Sequence, residues 1–543
     1  MQIEQHGVDV IPEAERTSRP RDIVSFLIGS NLALGVVVFG WLPVSFGLGF
    51  WASASAMVLG TLVGTLLVAP LALVSLRTAT NLSTSSGAQF GVRGRLLGSA
   101  IGLLLSLGYT ALTLWVGGDA MVGTLARLSG LPDSAASYAL VYAVLAVCTA
   151  VCAVYGYRLL LRLSRVLAIG MTALLVVGLV AYAPQFTTRA PTGTSYLLGD
   201  FLPTWLLAVV AAGLSGPMAF ITLLGDYTRY MSPARHSTRR VYLTTCGGLV
   251  AGLLIPQLFG TFTAVAVDAA SDYAGPLVRQ APFWFLVPLL LAASLGSVGN
   301  AGLMLYSMGL DLDAIASRTT RTRATYGVAA LATALVYLGH FVWDAQDAMT
   351  AFVLLLTAVG TPWAVIVLIG HARCRGNYDA EALQVLNRRS VGGRYWFTAG
   401  WNPRAAVAWS IGSGVGLLAV DTPVYTGVLV PHLGGFDLSF LLSAAVTAAV
   451  FTAVTMGEPD RPAAEPTAAS RMPVPGAVPA AEGVPAAGGV SAPARTPAAD
   501  EFGKTEGGAA AGMYEGAGEA RGNGEARGPQ GAGGAPETRG ATA

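Results

Sequence analysis

The sequence predicts an all-α polytopic membrane protein of about twelve transmembrane helices, built as a 5+5 inverted repeat with two further helices. Three observations predict it. Of 543 residues, 53% are hydrophobic and only 11% are charged, too few polar side chains to clothe a soluble globule of that length. Apolar runs recur along the chain at the roughly 20-residue length that spans a bilayer. The two runs with the strongest helix-breaking signals lie five helices apart. That odd spacing makes two five-helix units enter the membrane from opposite sides.

The leader, residues 1–22, is polar and charged and carries no cleavable secretory signal, so it reads as a cytoplasmic segment. The membrane domain then runs over 23–456. Its spans are drawn near 23–47, 51–76, 98–125, 138–157, 162–184, 204–224, 242–267, 281–307, 325–344, 350–372, 405–425 and 436–456. The first, "NLALGVVVFGWLPVSFGLGF", carries Gly35, Gly40 and Pro43 as breaking signals, and the sixth carries Gly213, Gly216 and Pro217. Unpaired backbone inside lipid survives only where it lines a cavity or site, so these breaks mark the centre of the protein. Cys148 and Cys152 share a face of the fourth span, but no histidine or acid lies nearby. With Cys246 and Cys374 they read as small packing residues, and no metal cluster is expected.

Net charge is only +2, yet its distribution is lopsided. One set of alternate turns holds Arg77, Arg93, Arg95, Arg158, Arg162, Arg165, Arg229, Arg235, Arg239, Arg240, Arg318, Arg321, Arg323 and the arginines from 373 to 404. The other set holds Arg127, Arg189 and Arg279. Cationic turns resist translocation, which puts both termini on the cytoplasmic side of a cell (plasma or inner) membrane. From residue 457 the chain turns to Ala, Gly, Pro and Glu with almost no large apolar residues, so 457–543 is expected to be a disordered cytoplasmic tail. No soluble domain is inserted between spans and no Gly-rich phosphate cradle is present. An ATP-driven pump, a receptor with a cytoplasmic enzyme, and an enzyme in general are therefore not expected; any chemistry sits within the bundle.

Five stretches, in order, carry a family likeness: "SSGAQFGVRGRLLGS" before the third span, "LGYTALTLWVGGDAM" within it, "GDYTRYMS" after the sixth, "LGSVGNAGLMLYSMGLDLDAI" in the eighth, and "GGRYWFTAGWNPRAAVAWSIG" before the eleventh. Over roughly residues 20–425 the chain resembles the nucleobase–cation symporter family of purine–cytosine permease type. The resemblance implies the fold of the bacterial leucine transporter. It also implies cation-coupled import of a small heterocycle of the cytosine, purine, uracil, allantoin or hydantoin class by alternating access.

A flat ring is held by stacking and by a few hydrogen bonds at its edge. Tyr109 stands where relatives carry a stacking tryptophan, and Thr113 lies one turn on, on the same helix face. Pro217 falls where relatives have a second aromatic; Phe220 or Phe39 could take that role. The sixth span is expected to open near Gly216 and Pro217 and turn freed backbone groups toward the substrate. In the eighth span Asn300 is an amide in mid-membrane, either satisfied by neighbouring helices or used by a ligand. By resemblance, Ser294 and Ser297 would meet carbonyls of the first break near Gly35 in a sodium site, while Val298 takes the place of a further family hydroxyl. The coupling cation is read as Na+, with H+ as the alternative. Asp226 lies nine residues past Pro217, about 13 Å along a helix, near the inner boundary. With Arg229 and the tyrosines of "DYTRY" it is either a snorkelling helix end or an inner gate. The expected partners are a small heterocyclic substrate and the lipid bilayer, with no nucleic acid, and the protein is expected to be a monomer. The alternative function is a transport-inactive sensor for such a ligand; the absence of a polar stripe through the spans argues against a channel.

Overall fold

The computed structural model describes residues 7–315, 321–342, 345–422 and 424–456. The tail from 457 and Arg318 lie outside them. The described chain is mostly helical; its only strand ladder among the described residues is a two-residue hairpin at Asp421–Thr422 and Tyr425–Thr426. The principal helices are α1 (Pro20–Asn31), α2 (Leu34–Ser45), α3 (Phe50–Val68), α4 (Leu96–Ser129), α5 (Ala135–Tyr155), α6 (Tyr157–Tyr182) and α7 (Phe201–Ala208). There follow two short helices, α8 (Ser215–Met218) and α9 (Leu224–Thr228), then α10 (Thr238–Ala266), α11 (Leu286–Ile315), α12 (Arg321–Val342), α13 (Ala345–Arg373), α14 (Pro403–Leu418) and α15 (Ser439–Thr455). Among the described residues nine helical stretches are long and apolar enough to cross a bilayer, ten if the bent α1–α2 pair is one span, and α15 is a shorter apolar helix. Each of the twelve stretches drawn from the sequence falls on a helix.

The outer surface of the bundle is apolar, as a bilayer requires: Val166 and Ile169 of α6, Leu140 and Val147 of α5 and Leu66 of α3 are all exposed. The interior is dotted with Ser, Thr, Asn and Gln, and some of them, such as Thr61, Gln257, Thr261 and Asn300, bond to backbone carbonyls of other helices. The densest helix contacts fall into three groups. α1 and α2 pack on α10, with α3 against the stretch after α7; α4, α5 and α12 pack on α11; and α13, α14 and α15 pack on one another.

The first span is broken, but not where glycine and proline pointed. α1 and α2 meet at a 64° bend at Leu32–Ala33, with Ala33 extended at φ −138°, ψ 152°. Ser30 Oγ donates to Phe26 O at 2.7 Å, and Asn31 Nδ2 donates to Leu27 O at 2.7 Å. Short polar side chains that bond the backbone one turn back compete with continued helix, which explains why the span stops at Ser30–Asn31. Gly35, Gly40 and Pro43 all lie inside α2. Gly40 is instead a contact residue: a Cβ there would stand 1.8 Å from Gln257 O, and one on the facing Gly260 would stand 1.9 Å from Val37 O. The two glycines let α2 and α10 touch backbone to backbone.

The sixth span does not bend sharply. It loosens into a π-helical stretch at Val209–Leu214, recovers as α8, and dissolves into turns over 219–223 before α9. Pro217 has no N–H to return to the carbonyl of Gly213, and the π-helical turn spreads that defect over several residues. Both members of the predicted pair are therefore irregular, one bent and one loosened.

Candidate functional site

Three side chains close the loosened stretch. Gln257 of α10 donates from Nε2 to Ala212 O at 3.3 Å, and Ser215 Oγ donates to the same carbonyl at 2.8 Å. Thr61 Oγ1 of α3 lies 3.2 Å from Gly213 O and 3.1 Å from Gln257 Oε1, and shares its proton between them. The carbonyls expected to face a substrate are thus capped by neighbouring helices. Gly216 and Pro217 are corrected likewise. An added Cβ on Gly216 would meet Gln257 Nε2 and Leu253 of α10, and Pro217 packs on Gly64 of α3. Neither points to the third span's aromatic. Phe220 is buried and makes no ring contact among the described residues.

Tyr109 does reach the sixth span. Its hydroxyl donates to Ser215 O at 2.9 Å, and that carbonyl also accepts from Ala219 N at 3.0 Å. Its ring meets Phe39 of α2, tilted at a centroid distance of 5.8 Å, and Phe352 of α13, edge-on at 5.4 Å. Phe352 fits over Gly108, where a Cβ would stand 2.1 Å from its ring. Tyr109 is accordingly held by four elements: α2, α4, α8 and α13.

One turn along α4, Thr113 Oγ1 donates to Asn300 Oδ1 at 2.8 Å, and Asn300 Nδ2 donates to Ser30 O at 2.8 Å. Ser30 O belongs to the last turn of α1, where the bend has taken its helical donor away. Asn300 therefore ties the first break, α4 and α11 together. An amide has two N–H groups and two acceptor lone pairs, and these bonds use one of each. Gly35 packs on Thr113, since a Cβ there would lie 2.4 Å from Oγ1. The sequence reading names Phe39, Tyr109, Thr113 and Asn300 as substrate candidates and Gly35 as part of the sodium site; in the structure Phe39 meets Tyr109, and Gly35 and Asn300 meet Thr113 one turn on.

The sodium set is not assembled as drawn. Ser294 Oγ turns back to Leu290 O of its own helix at 2.8 Å. Ser297 Oγ faces α4, 3.4 Å from Thr113 O and against Gly117. Besides Asn300, the α11 residue against the break is Gly296, where a Cβ would stand 3.0 Å from Leu32 O. A helix presents about one residue in four to a given neighbour, and the register here puts the glycine in that slot.

Asp226 and Arg229 do not snorkel. Both are buried, with Tyr227 and Tyr230 beside them. Arg229 Nη1 donates to Gly7 O at 2.6 Å, Nη2 to Tyr306 Oη of α11 at 3.1 Å, and the guanidinium covers the Tyr230 ring at 5.1 Å. Tyr227 Oη lies 3.0 Å from Ser307 Oγ, and Tyr230 stacks on Tyr157 at 4.4 Å and 3°. A second acid, Asp311, is buried nearby in α11 and accepts from Ser83 Oγ at 2.7 Å. Arg229 does not reach water because Gly7 O of the N-terminal segment and Tyr306 of α11 take its donors, which leaves the inner-gate alternative. The sequence reading also missed Gln257, Thr61 and Phe352. Gln257 alone left a signal, an amide beside Pro256 in an otherwise apolar run.

An interrupted first span, a loosened sixth, and an aromatic and an amide gathered beside them define a multi-pass membrane carrier, with no catalytic constellation among these residues. The family described as permease for cytosine/purines, uracil, thiamine, allantoin matches residues 10–443, and the chain belongs to it. It is a transporter, not an enzyme. Among curated relatives, it is 23% identical over 465 residues to YxlA of Bacillus subtilis, assigned provisionally as a purine-cytosine permease, covering 83% of this chain and 95% of that one. It is 24% identical over 480 residues to the purine-cytosine permease fcyB of Emericella nidulans, covering 82% of this chain and 87% of the relative. The solved structure of Mhp1, a nucleobase-cation-symport-1 family transporter, in a closed conformation with bromovinylhydantoin bound, aligns at TM-score 0.65 and 16% identity, covering 83% of this chain and 94% of Mhp1. A Na+-coupled sialic acid symporter aligns at TM-score 0.51 and 12% identity, covering 81% and 90%. The fold is that of the leucine-transporter class.

Proposed function

We propose that this permease imports a nucleobase or a related small heterocycle by cation symport and alternating access, with both termini cytoplasmic. The observation that carries the reading is the Tyr109–Thr113–Asn300 cluster set against the bent first span. In it, Tyr109 supplies a ring face for stacking, and its bond to Ser215 O fixes the ring's orientation. Asn300 offers its second N–H and a lone pair to the edge of the substrate, and Phe39 and Phe352 flank the ring. Each of these groups contacts a different helix, so a ligand that displaces one contact alters how the helices meet, which is what alternating access needs. Asp226 and Arg229 belong to the inner gate.

Sodium is the coupling ion in this reading. Leu32 O at the break, facing Gly296, takes part in no hydrogen bond among the described residues and is available as an oxygen ligand. A proton is the second reading, supported by a bonded set of titratable groups further along α4. There Tyr142 Oη donates to Asp119 and lies 2.8 Å from His340 Nδ1, and that nitrogen is 3.2 Å from Asp119 Oδ1.

The test is uptake of labelled cytosine, adenine, hypoxanthine, uracil and allantoin into proteoliposomes. Accumulation above the outside concentration that disappears without a sodium gradient supports sodium symport, and collapse only with a protonophore supports the proton form. Binding without flux in correctly inserted protein would discard transport in favour of a sensor.

A further inference from the structure

The segment before α1 is not a loose leader. Residues 7–19 lie across the end of the bundle that carries the arginine excess, and Val8, Ile11, Arg16 and Ser18 are buried there. The segment is bonded along its length to several elements. Arg229 Nη1 donates to Gly7 O, Thr80 Oγ1 donates to Val8 O at 2.9 Å, and Gln384 Nε2 donates to the same carbonyl at 3.3 Å. Ile11 N donates to Ala79 O at 2.8 Å, and Ser18 N donates to Tyr230 O at 3.1 Å. Ser18 Oγ also lies 2.9 Å from Tyr157 Oη. Arg16 is the clasp: Nη2 donates to Leu76 O at 2.6 Å, Nε to Arg229 O at 3.1 Å, and Nη1 to Glu13 at 3.0 Å.

The partners matter more than their number. Leu76, Ala79 and Thr80 follow α3, which packs on α10, and Arg229 and Tyr230 follow α9, which packs on residues 69–85 of that same stretch. Gly7 presses on α11 of another group, where a Cβ would stand 2.4 Å from Asp313 Oδ2. Tyr157 opens α6, and Gln384 lies in the segment joining α13 and α14. One extended segment therefore bridges elements that must separate if this end is to open. Carbonyls that end a helix usually find water; here Leu76 O and Arg229 O are taken by a single buried guanidinium, which stays in place only while both helix ends hold their spacing.

We infer that residues 7–19 are a releasable latch that holds the cytoplasmic end of the carrier shut, and that release of substrate to that side requires the segment to undock. This rests on the transport reading and its orientation, and adds a moving part to the inner gate of Asp226 and Arg229.

The experiment uses full-length chain with the four native cysteines replaced by serine. With Val8→Cys and Thr80→Cys together, oxidation should cross-link the segment to the end of α3, abolish net uptake, and be reversed by reductant. Full uptake by the cross-linked protein overturns the latch. A second arm needs no substrate. With Thr80→Cys alone, a membrane-impermeant maleimide added to inside-out vesicles should label slowly, because Thr80 is buried. Adding Arg16→Ala should speed labelling at least about tenfold, since charge-assisted bonds to two carbonyls are lost. Adding Ser18→Ala, which keeps the backbone bond and suits the case in which Arg16→Ala does not insert, should speed it about threefold. Labelling unchanged by either substitution overturns the proposal. If none of the rings is carried, the transport reading fails while the labelling arm still decides the latch.

Discussion

Replacing Tyr109 separates stacking from hydrogen bonding at the proposed site. Tyr109→Phe keeps the ring between Phe39 and Phe352 and removes one neutral bond, from the hydroxyl to Ser215 O at 2.9 Å. Ser215 O is not orphaned, because Ala219 N still reaches it at 3.0 Å. The loss is that of one ordinary bond, about 0.5–1.5 kcal/mol, and substrate affinity should change by less than about tenfold. Tyr109→Ala removes the stacking face as well. Stacking of a base on an aromatic side chain contributes about 1–3 kcal/mol, which corresponds to a Kd raised about 5- to 150-fold. The substitution also leaves a cavity between α2, α4 and α13, so the melting temperature should fall even without ligand. The assay is equilibrium binding of the transported ring to purified protein, with thermal melting of the same preparations. If Tyr109→Ala binds with native affinity while its melting temperature drops, the ring is packing and the site lies elsewhere.

Three further outcomes are expected. Thr61→Val takes the hydroxyl from Gly213 O and should cost about 1–3 kcal/mol of stability, whereas Gln257→Leu should cost about 0.5–1.5 kcal/mol, because Ser215 Oγ still reaches Ala212 O. Because both side chains serve adjacent carbonyls and each other, the double variant should lose less than the sum in thermal melts, and strict additivity would refute the shared network. Outside the membrane, a hydrogen bond from the Ser232 hydroxyl, with Arg16 beside it, holds the Glu13 carboxyl below its ordinary 4.5. A lowered pKa stabilises the docked state above the free value and is lost as pH falls through the lowered one. Amide-exchange protection at Ile11 and Ser18, corrected for intrinsic rates, should hold from about pH 8 to about pH 5 and weaken only in stronger acid. Ending the chain at Met456 should leave uptake near normal in correctly inserted protein, and lost transport would assign the tail a role.

What the sequence made legible follows from which physical signals are unambiguous. Runs near 20 apolar residues have few alternatives to a membrane helix, and each drawn span contains helix. Tyr109 and Thr113 are singled out only through the family resemblance, whereas Asn300 stands out as an amide in an apolar run. Glycine is the opposite case, since in a membrane helix it marks either a break or a close contact. At Gly35 and Gly40 it marks contact, with Thr113 and with the backbone of α10, while the break itself was set by Ser30 and Asn31. Those residues looked ordinary because their effect depends on where their hydroxyl and amide can reach.

The placement of Asp226 and Arg229 shows why a local rule fails at a tertiary site. Distance along an ideal helix put them at the lipid boundary, where a charged side chain can reach water. Residues 7–19 instead cover what would have been an open end. A buried guanidinium is tolerable only if its charge is met by hydrogen bonds, and Arg229 spends Nη1 on Gly7 O and Nη2 on the Tyr306 and Tyr230 hydroxyls. Two of those partners lie more than 70 residues away in the chain, so no window of sequence around "DYTRY" could have shown them. The long reach also gives the arrangement its use. A charge satisfied by its own helix would be indifferent to whether the bundle is open, whereas one satisfied by the leader and by α11 is dry only when this end is closed. Opening it must rehydrate Arg229 and Arg16 together, and that joint requirement makes the closed end a discrete state rather than a continuum of partial openings.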